Sequence, residues 1–181
     1  MSETDERPAA PSEEAIRIAE ALIFAAAEPV PLRGLAQLLP EGEDAETVLA
    51  ELARRYAGRG IELAEVAGGA QFRTAPDLAP RLRTVLKQPR RLPRVAMETL
   101  AIIAYHQPLT RSEIEALRGV SLAQETFDLL LEARLIAPFG RKEVPGRPTL
   151  WGTTQHFLAS FGLKALTDLP RREDLLSAPP A

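Results

Sequence analysis

Apolar residues recur at helical spacing through Ile16, Ala19, Leu22, Ile23 and Ala26, immediately behind Ser12, Glu13 and Glu14. A hydroxyl able to cap the first N–H groups and two carboxylates at the positive end of the dipole predict a helix from Ser12 to about Ala27. Pro29 and Pro31 break the chain and start a short amphipathic helix through Leu35 and Leu38, closed by Pro40. Asp44 caps a third helix through Val48, Leu49 and Leu52, with Arg54 and Arg55 near its negative end and a stop at Gly58 to Gly60. The period then changes from helical to alternating. Residues 61–66 read as a half-buried strand, Gly68-Gly69 as a turn and residues 70–74 as the returning strand of a β-hairpin.

The same order recurs downstream. Pro93 opens a helix through Val95, Met97, Leu100, Ile103 and Ala104. Thr110 to Glu113 is a capping box for a second helix, through Ile114 and Leu117 to Gly119, and Ser121 to Gln124 is a capping box for a third, through Phe127, Leu130 and Leu131. Strands over 135–139 and 149–152 follow, joined by the loop 140–148, and a terminal helix spans 154–163. Sliding the chain by 79 residues sets Ala21-Leu22-Ile23-Phe24-Ala25 over Leu100-Ala101-Ile102-Ile103-Ala104. It also sets Glu28-Pro29-Val30 over Gln107-Pro108-Leu109, and Leu35, Leu38 and Val48 over Ile114, Leu117 and Phe127. Between the halves, residues 78–86 read as a helix. Three short helices and a hairpin are the order of a winged helix. The expected fold class is therefore α+β, mainly α, with two tandem winged-helix domains over 12–87 and 95–165. A disordered acidic tail (1–11), a basic proline-punctuated linker (88–94) and a flexible C-terminal tail (166–181) complete the expected layout.

Composition narrows the function. The chain has no cysteine, which removes disulfides, thiolate nucleophiles and thiolate metal sites and fits a reducing cytoplasm. Its longest apolar runs, 21–27 and 100–105, are far shorter than the roughly 20 residues a membrane-spanning helix needs, so no membrane association is expected. The formal net charge is −3, and the first fourteen residues hold Glu3, Asp5, Glu6, Glu13 and Glu14 against a single Arg7, leaving the remainder close to neutral. Proteins that read DNA usually carry a strong basic excess. Here the would-be reading helices hold Asp44, Glu46 and Glu51 in the first half, and Glu125, Asp128 and Glu132 in the second. Those residues bring carboxylates toward phosphates.

Four other features bear on function. Arg81, Arg83, Lys87, Arg90, Arg91 and Arg94 form an uninterrupted basic stretch. It reads either as a solvated helix end and linker or as a contact for nucleic acid or an acidic partner, weak and unspecific toward DNA in either case. The proline- and glycine-rich loop 140–148 is either a tight wing or a stiff platform presenting charge to a protein. The first helix is apolar on more than one face, which suggests a homodimer contact through Ile16, Ile23 and Phe24. His106 and His156 lie in different elements outside any ligand or nucleophile pattern, so no catalytic residue, metal or cofactor is expected.

The run from Arg94 through Tyr105-His106-Gln107-Pro108-Leu109-Thr110-Arg111-Ser112-Glu113 to Ile114 closely resembles segregation and condensation protein B. So do Leu117-Arg118-Gly119-Val120, and Gly140-Arg141-Lys142 with Pro145-Gly146-Arg147-Pro148 and Gly152-Thr153-Thr154. The likeness covers roughly Glu14 to Pro170. Trp151 departs from the Tyr common there, and the tail after Pro170 lies outside the shared pattern. The resemblance implies two winged-helix domains, dimerisation mainly through the first, and binding to the kleisin ScpA, which bridges the heads of an SMC ATPase. It implies a non-catalytic adaptor in bacterial chromosome condensation and segregation, cytoplasmic and nucleoid-associated. On that reading Tyr105 is an amphipathic anchor for the kleisin, Arg111, Glu115 and Arg118 are polar rim contacts, and Arg141, Lys142 and Arg147 pair charge from the wing. The competing class is a winged-helix transcription regulator, told apart by whether a specific DNA site exists.

Overall fold

The Ser12 hydroxyl accepts from the backbone N–H of Ala15 at 3.2 Å and starts α1, Glu13–Ala25, in the computed structural model, which describes residues 10–85 and 92–171. The chain divides into two units, Met1–Lys87 and Gln88–Ala181. In the first, α1 is followed by β1 (Val30–Pro31), α2 (Leu32–Ala36), α3 (Ala45–Tyr56), the hairpin β2 (Ile61–Val66) and β3 (Gly69–Thr74), and α4 (Ala79–Leu82). The strands form one antiparallel sheet in the order β1-β3-β2, with Val30 opposite Ala70 and Ile61 opposite Thr74. Ile16, Ala19 and Ile23 of α1 meet Val30, Leu35, Val48, Leu52 and Ala70 in a core. Spacing of three and four residues on α1 is what turns these side chains to one face.

The second unit repeats the plan. It consists of α5 (Arg94–His106), β4 (Leu109–Thr110), α6 (Arg111–Arg118), α7 (Gln124–Glu132), β5 (Ile136–Arg141), β6 (Thr149–Thr153) and α8 (Gln155–Phe161), then a 3₁₀ turn at Leu166–Asp168. The sheet order is β4-β6-β5, so in both units the last strand lies between a two-residue strand and its hairpin partner. Leu100, Ile103, Ile114, Phe127, Leu130 and Ile136 fill the core, and Phe127 meets Trp151 edge to face with ring centroids 4.8 Å apart.

Several expectations are corrected. The 79-residue slide holds where β1 and β4, α2 and α6, and α3 and α7 begin, but fails in the first helices. The buried positions 16, 19 and 23 of α1 fall on 96, 99 and 103 of α5, a slide of 80. The slide of 79 lays exposed Phe24 over buried Ile103, because one residue turns a helix face by about 100°. Ser121 caps nothing: α7 begins at Gln124 behind Ala123, because Leu122 is buried and its backbone is held by α6. The linker helix spans only Ala79–Leu82, followed by a turn, and the expected end at Leu86 lies outside the described residues. Part of the expected flexible tail, Leu166–Asp168, is a 3₁₀ turn in which Asp168 accepts from the Lys164 and Ala165 amides.

Candidate functional site

Of the two would-be reading helices, α3 is held by its own charges. Asp44 caps it, accepting from the Thr47 hydroxyl at 2.7 Å and the Thr47 amide at 2.8 Å, and both bonds keep its carboxyl below the usual carboxylate range. Arg54 donates to Glu51 through Nε and Nη2 at 2.7 and 2.6 Å, and Arg55 reaches Glu51 at 2.9 Å and Glu13 at 2.8 Å. Hydrogen bonds from Arg54 first, then Arg55, bring Glu51 down to about 2. On α7, Gln124 donates to Asp128 at 2.7 Å while Glu125 and Glu132 stay exposed. Neither helix offers an uncommitted guanidinium fork to a base edge.

Around α6 the expected rim residues turn inward. Arg111 donates to the Leu122 carbonyl at 2.5 Å and to Gln124, and its guanidinium lies 5.6 Å from the Phe127 ring centroid. Glu115 accepts from the Leu122 amide at 3.0 Å, which lowers its pKa, and from Arg111 at 3.4 Å. The pair is a clamp on the turn between α6 and α7. The Arg118 side chain is 8% exposed and lies 4.0 Å from Glu98, so burial takes it out of any polar rim. The Tyr105 hydroxyl donates to the Pro170 carbonyl at 2.6 Å, so the expected anchor holds the chain's own tail.

The wing is tied down on one side. Lys142 forms an ion pair with Glu113, whose second oxygen closes the Thr110 capping box on α6. That ion pair and then the Thr110 amide and hydroxyl bring Glu113 down to about 2. Lys142 donates its amide to Pro148 at 2.9 Å and Arg147 to Val144 at 2.8 Å, stiffening the tip. Arg141 and Arg147 remain exposed, Arg147 lying 4.0 Å from Glu143. Phe139, which sequence reasoning passed over, is 70% exposed where the β5–β6 register shifts between Pro138 and Gly140. A proline inside the strand was the available signal, since it marks an edge or a bulge.

In the first unit the expected dimer contact is corrected for two of three residues. Ile16 and Ile23 are each 2% exposed because they complete the unit's own core. Phe24 is 80% exposed and helps line an open groove of about 670 Å³ with Ile18, Ala21, Ile61, Phe72 and the charged Glu14 and Arg17, where the Tyr56 hydroxyl meets Glu20. A second groove, about 440 Å³, lies between α3 and the β2–β3 hairpin. Both depend on which residues the hairpin brings to a helix, and no local pattern shows that. In the basic stretch Arg81 and Arg83 are exposed, Arg94 pairs with Glu98 at 2.9 Å, and Lys87, Arg90 and Arg91 lie outside the described residues.

Among the described residues no cluster of three His, Asp or Glu could hold a metal ion, and no helix is long and apolar enough to cross a membrane. The family described as segregation and condensation complex subunit ScpB matches residues 17–172. Segregation and condensation protein B of Syntrophotalea carbinolica is 49% identical over 158 residues, covering 84% of this chain and 79% of its own. That of Desulforamulus reducens is 45% identical over 161 residues, 87% and 88% of the two chains. Among solved structures, ScpB from Mycobacterium tuberculosis is 30% identical over 90% of this chain and 99% of its own, with a TM-score of 0.38. A dimer of the ScpB N-terminal domain complexed with ScpA peptide is 33% identical over 41% of this chain and 96% of its own, with a TM-score of 0.37.

Proposed function

The chain belongs to the segregation and condensation protein B family, and from that premise we propose that it is a non-catalytic adaptor subunit of a bacterial SMC–kleisin condensin. On this reading its two units are tandem winged helices that bind the kleisin ScpA, reach the SMC ATPase through it, and serve chromosome condensation and segregation. The observation that carries the reading is the state of α3 and α7. Arg54 and Arg55 are spent on Glu51 and Glu13, and α7 turns Glu125 and Glu132 outward. A helix so charged repels phosphate and suits a polypeptide. The wing, braced by Lys142 on Glu113, gives Arg141 and Arg147 a stiff base from which to meet acidic groups with little ordering entropy lost. Phe24, 80% exposed on the lining of a groove that it shares with Ile18, Ile61 and Phe72, favours a two-fold dimer, since such a contact brings the same surface of two copies together.

Affinity capture of the tagged chain from its own organism tests this. The kleisin and the SMC ATPase are expected in the eluate at comparable amounts. Light scattering of the purified chain is expected to give twice its mass of 19.7 kDa, falling to one chain in a Phe24→Glu variant. An eluate without kleisin, from cells that express it, contradicts the adaptor role.

A further inference from the structure

Behind α8 the chain turns at Gly162, left-handed with φ 71°, and the Leu163 amide returns to the Leu158 carbonyl at 2.9 Å. Residues 163–170 then form a strap across the second unit. Leu166 of the strap joins Pro108, Phe139 and Leu158 in lining an open groove of about 440 Å³. Four residues on, the Pro170 carbonyl accepts from the Tyr105 hydroxyl on α5. We propose that the strap is a displaceable cover, occupying in cis a site that takes a partner's polypeptide, with an aliphatic side chain in the groove and a main-chain carbonyl on Tyr105. The assignment rests on the adaptor reading above and names the kleisin as the chain that displaces the strap.

The groove is built without the strap. Gln107 donates to the Thr153 hydroxyl at 2.9 Å and accepts from the Thr153 amide, which fixes its side chain across β6. Gly152 leaves room for that crossing, since a Cβ there would stand 2.8 Å from Gln107 Oε1 and 3.4 Å from the Phe139 ring. The strap fills the groove only in part. Leu166 stays 39% exposed and Phe139 more so, whereas Leu158 beside them is buried. The strap also holds its own shape, with Asp168 accepting from the Lys164 and Ala165 amides at 2.9 and 3.2 Å. Residues 164–168 are exposed, so lifting the segment returns little apolar surface to water, as in elements that open at low cost. What the strap offers the site is a leucine and a main-chain carbonyl, and another polypeptide can match both. One that also covers Phe139 buries more apolar surface and takes the place.

Labelled kleisin of the same organism is titrated with the full chain and followed by fluorescence anisotropy. Leu166→Asp takes the strap out of the groove and is expected to tighten binding about threefold or more, because a covered site shows only the open fraction of its affinity. Phe139→Ser, at an exposed position, is expected to weaken binding about tenfold. The chain has no cysteine, so Thr167→Cys on the strap and Ala116→Cys on α6, both exposed, can carry a pair of spin labels. Saturating kleisin is expected to lengthen and broaden the distance between them. Three results overturn the cover while the adaptor role stands: Leu166→Asp binding no tighter than the parent, Phe139→Ser within about twofold of it, or label distances that bound kleisin leaves unchanged. Kleisin bound by neither the parent nor Leu166→Asp overturns both readings. Should Leu166→Asp fail to fold, the label distances still decide the matter.

Discussion

Glu113 connects three parts of the second unit. Its carboxylate accepts from the Thr110 amide at 2.8 Å and from the Thr110 hydroxyl at 2.8 Å, and it pairs with Lys142 on the wing. With Glu113 brought down to about 2, chiefly by Lys142, its contribution is complete above the ordinary glutamate value of about 4.3. It is lost as pH falls toward about 2, because the unfolded chain takes up the proton first. Urea unfolding of the second unit is therefore expected to become easier from about pH 4.3 downward, and a Glu113→Gln variant is expected to flatten that dependence. Equal acid sensitivity in the two proteins denies the bridge. Half of this bridge is legible in the sequence. Thr110 and Glu113 stand three apart, the spacing of a capping box, whereas Lys142 comes to Glu113 only once the hairpin has folded back. The same distinction explains Ser121. Its spacing to Gln124 imitates a cap, but Glu115 and Arg111 capture the Leu122 backbone and delay the helix. Arg111, Glu115 and Arg118 read as rim residues because a linear pattern does not say whether a charge faces solvent or its own fold.

The elements themselves were legible wherever a long period or a local cap announces them. α1, α3 and α5 and both hairpins follow from apolar spacing. β1 and β4 were not, since two residues carry no period, and they exist only through pairing with β3 and β6. Phase is finer information than period. The apolar width of α1 hid which side faces inward, so Ile16 and Ile23 were grouped with Phe24 although the core takes the first two. At β3 the constraint is close approach. A Cβ on Gly69 would lie 2.7 Å from the Val30 carbonyl oxygen and 2.8 Å from its carbon, backbone atoms with no rotamer to yield. Gly69→Ala is expected to destabilise the first unit by about 1–3 kcal/mol, the cost of overpacking. Calorimetry checks this: a lowered unfolding transition for that unit agrees, and a shift under about 0.5 kcal/mol means that β1 does not sit so close.

Across the whole molecule one plan is used twice, and on the proposed winged-helix reading each unit commits the positions that would read DNA to other contacts. In the first, Leu49, Ala50 and Ala53 of α3 line a groove against the β2–β3 hairpin. In the second, Arg111 beside α7 is spent on bracing the turn that precedes it. The tail adds a further intramolecular contact, Pro170 on the Tyr105 hydroxyl. Two measurements at about 150 mM salt, made side by side on the purified chain, bear most directly on the claim that these helices serve polypeptide and not the double helix. They are titrations with kleisin and with mixed-sequence duplex DNA. The expected result is saturable kleisin binding, together with duplex binding no tighter than about 10⁻⁶ M and indifferent to sequence. A duplex held at about 10⁻⁸ M or tighter with a clear sequence preference, and kleisin left unbound, would contradict it.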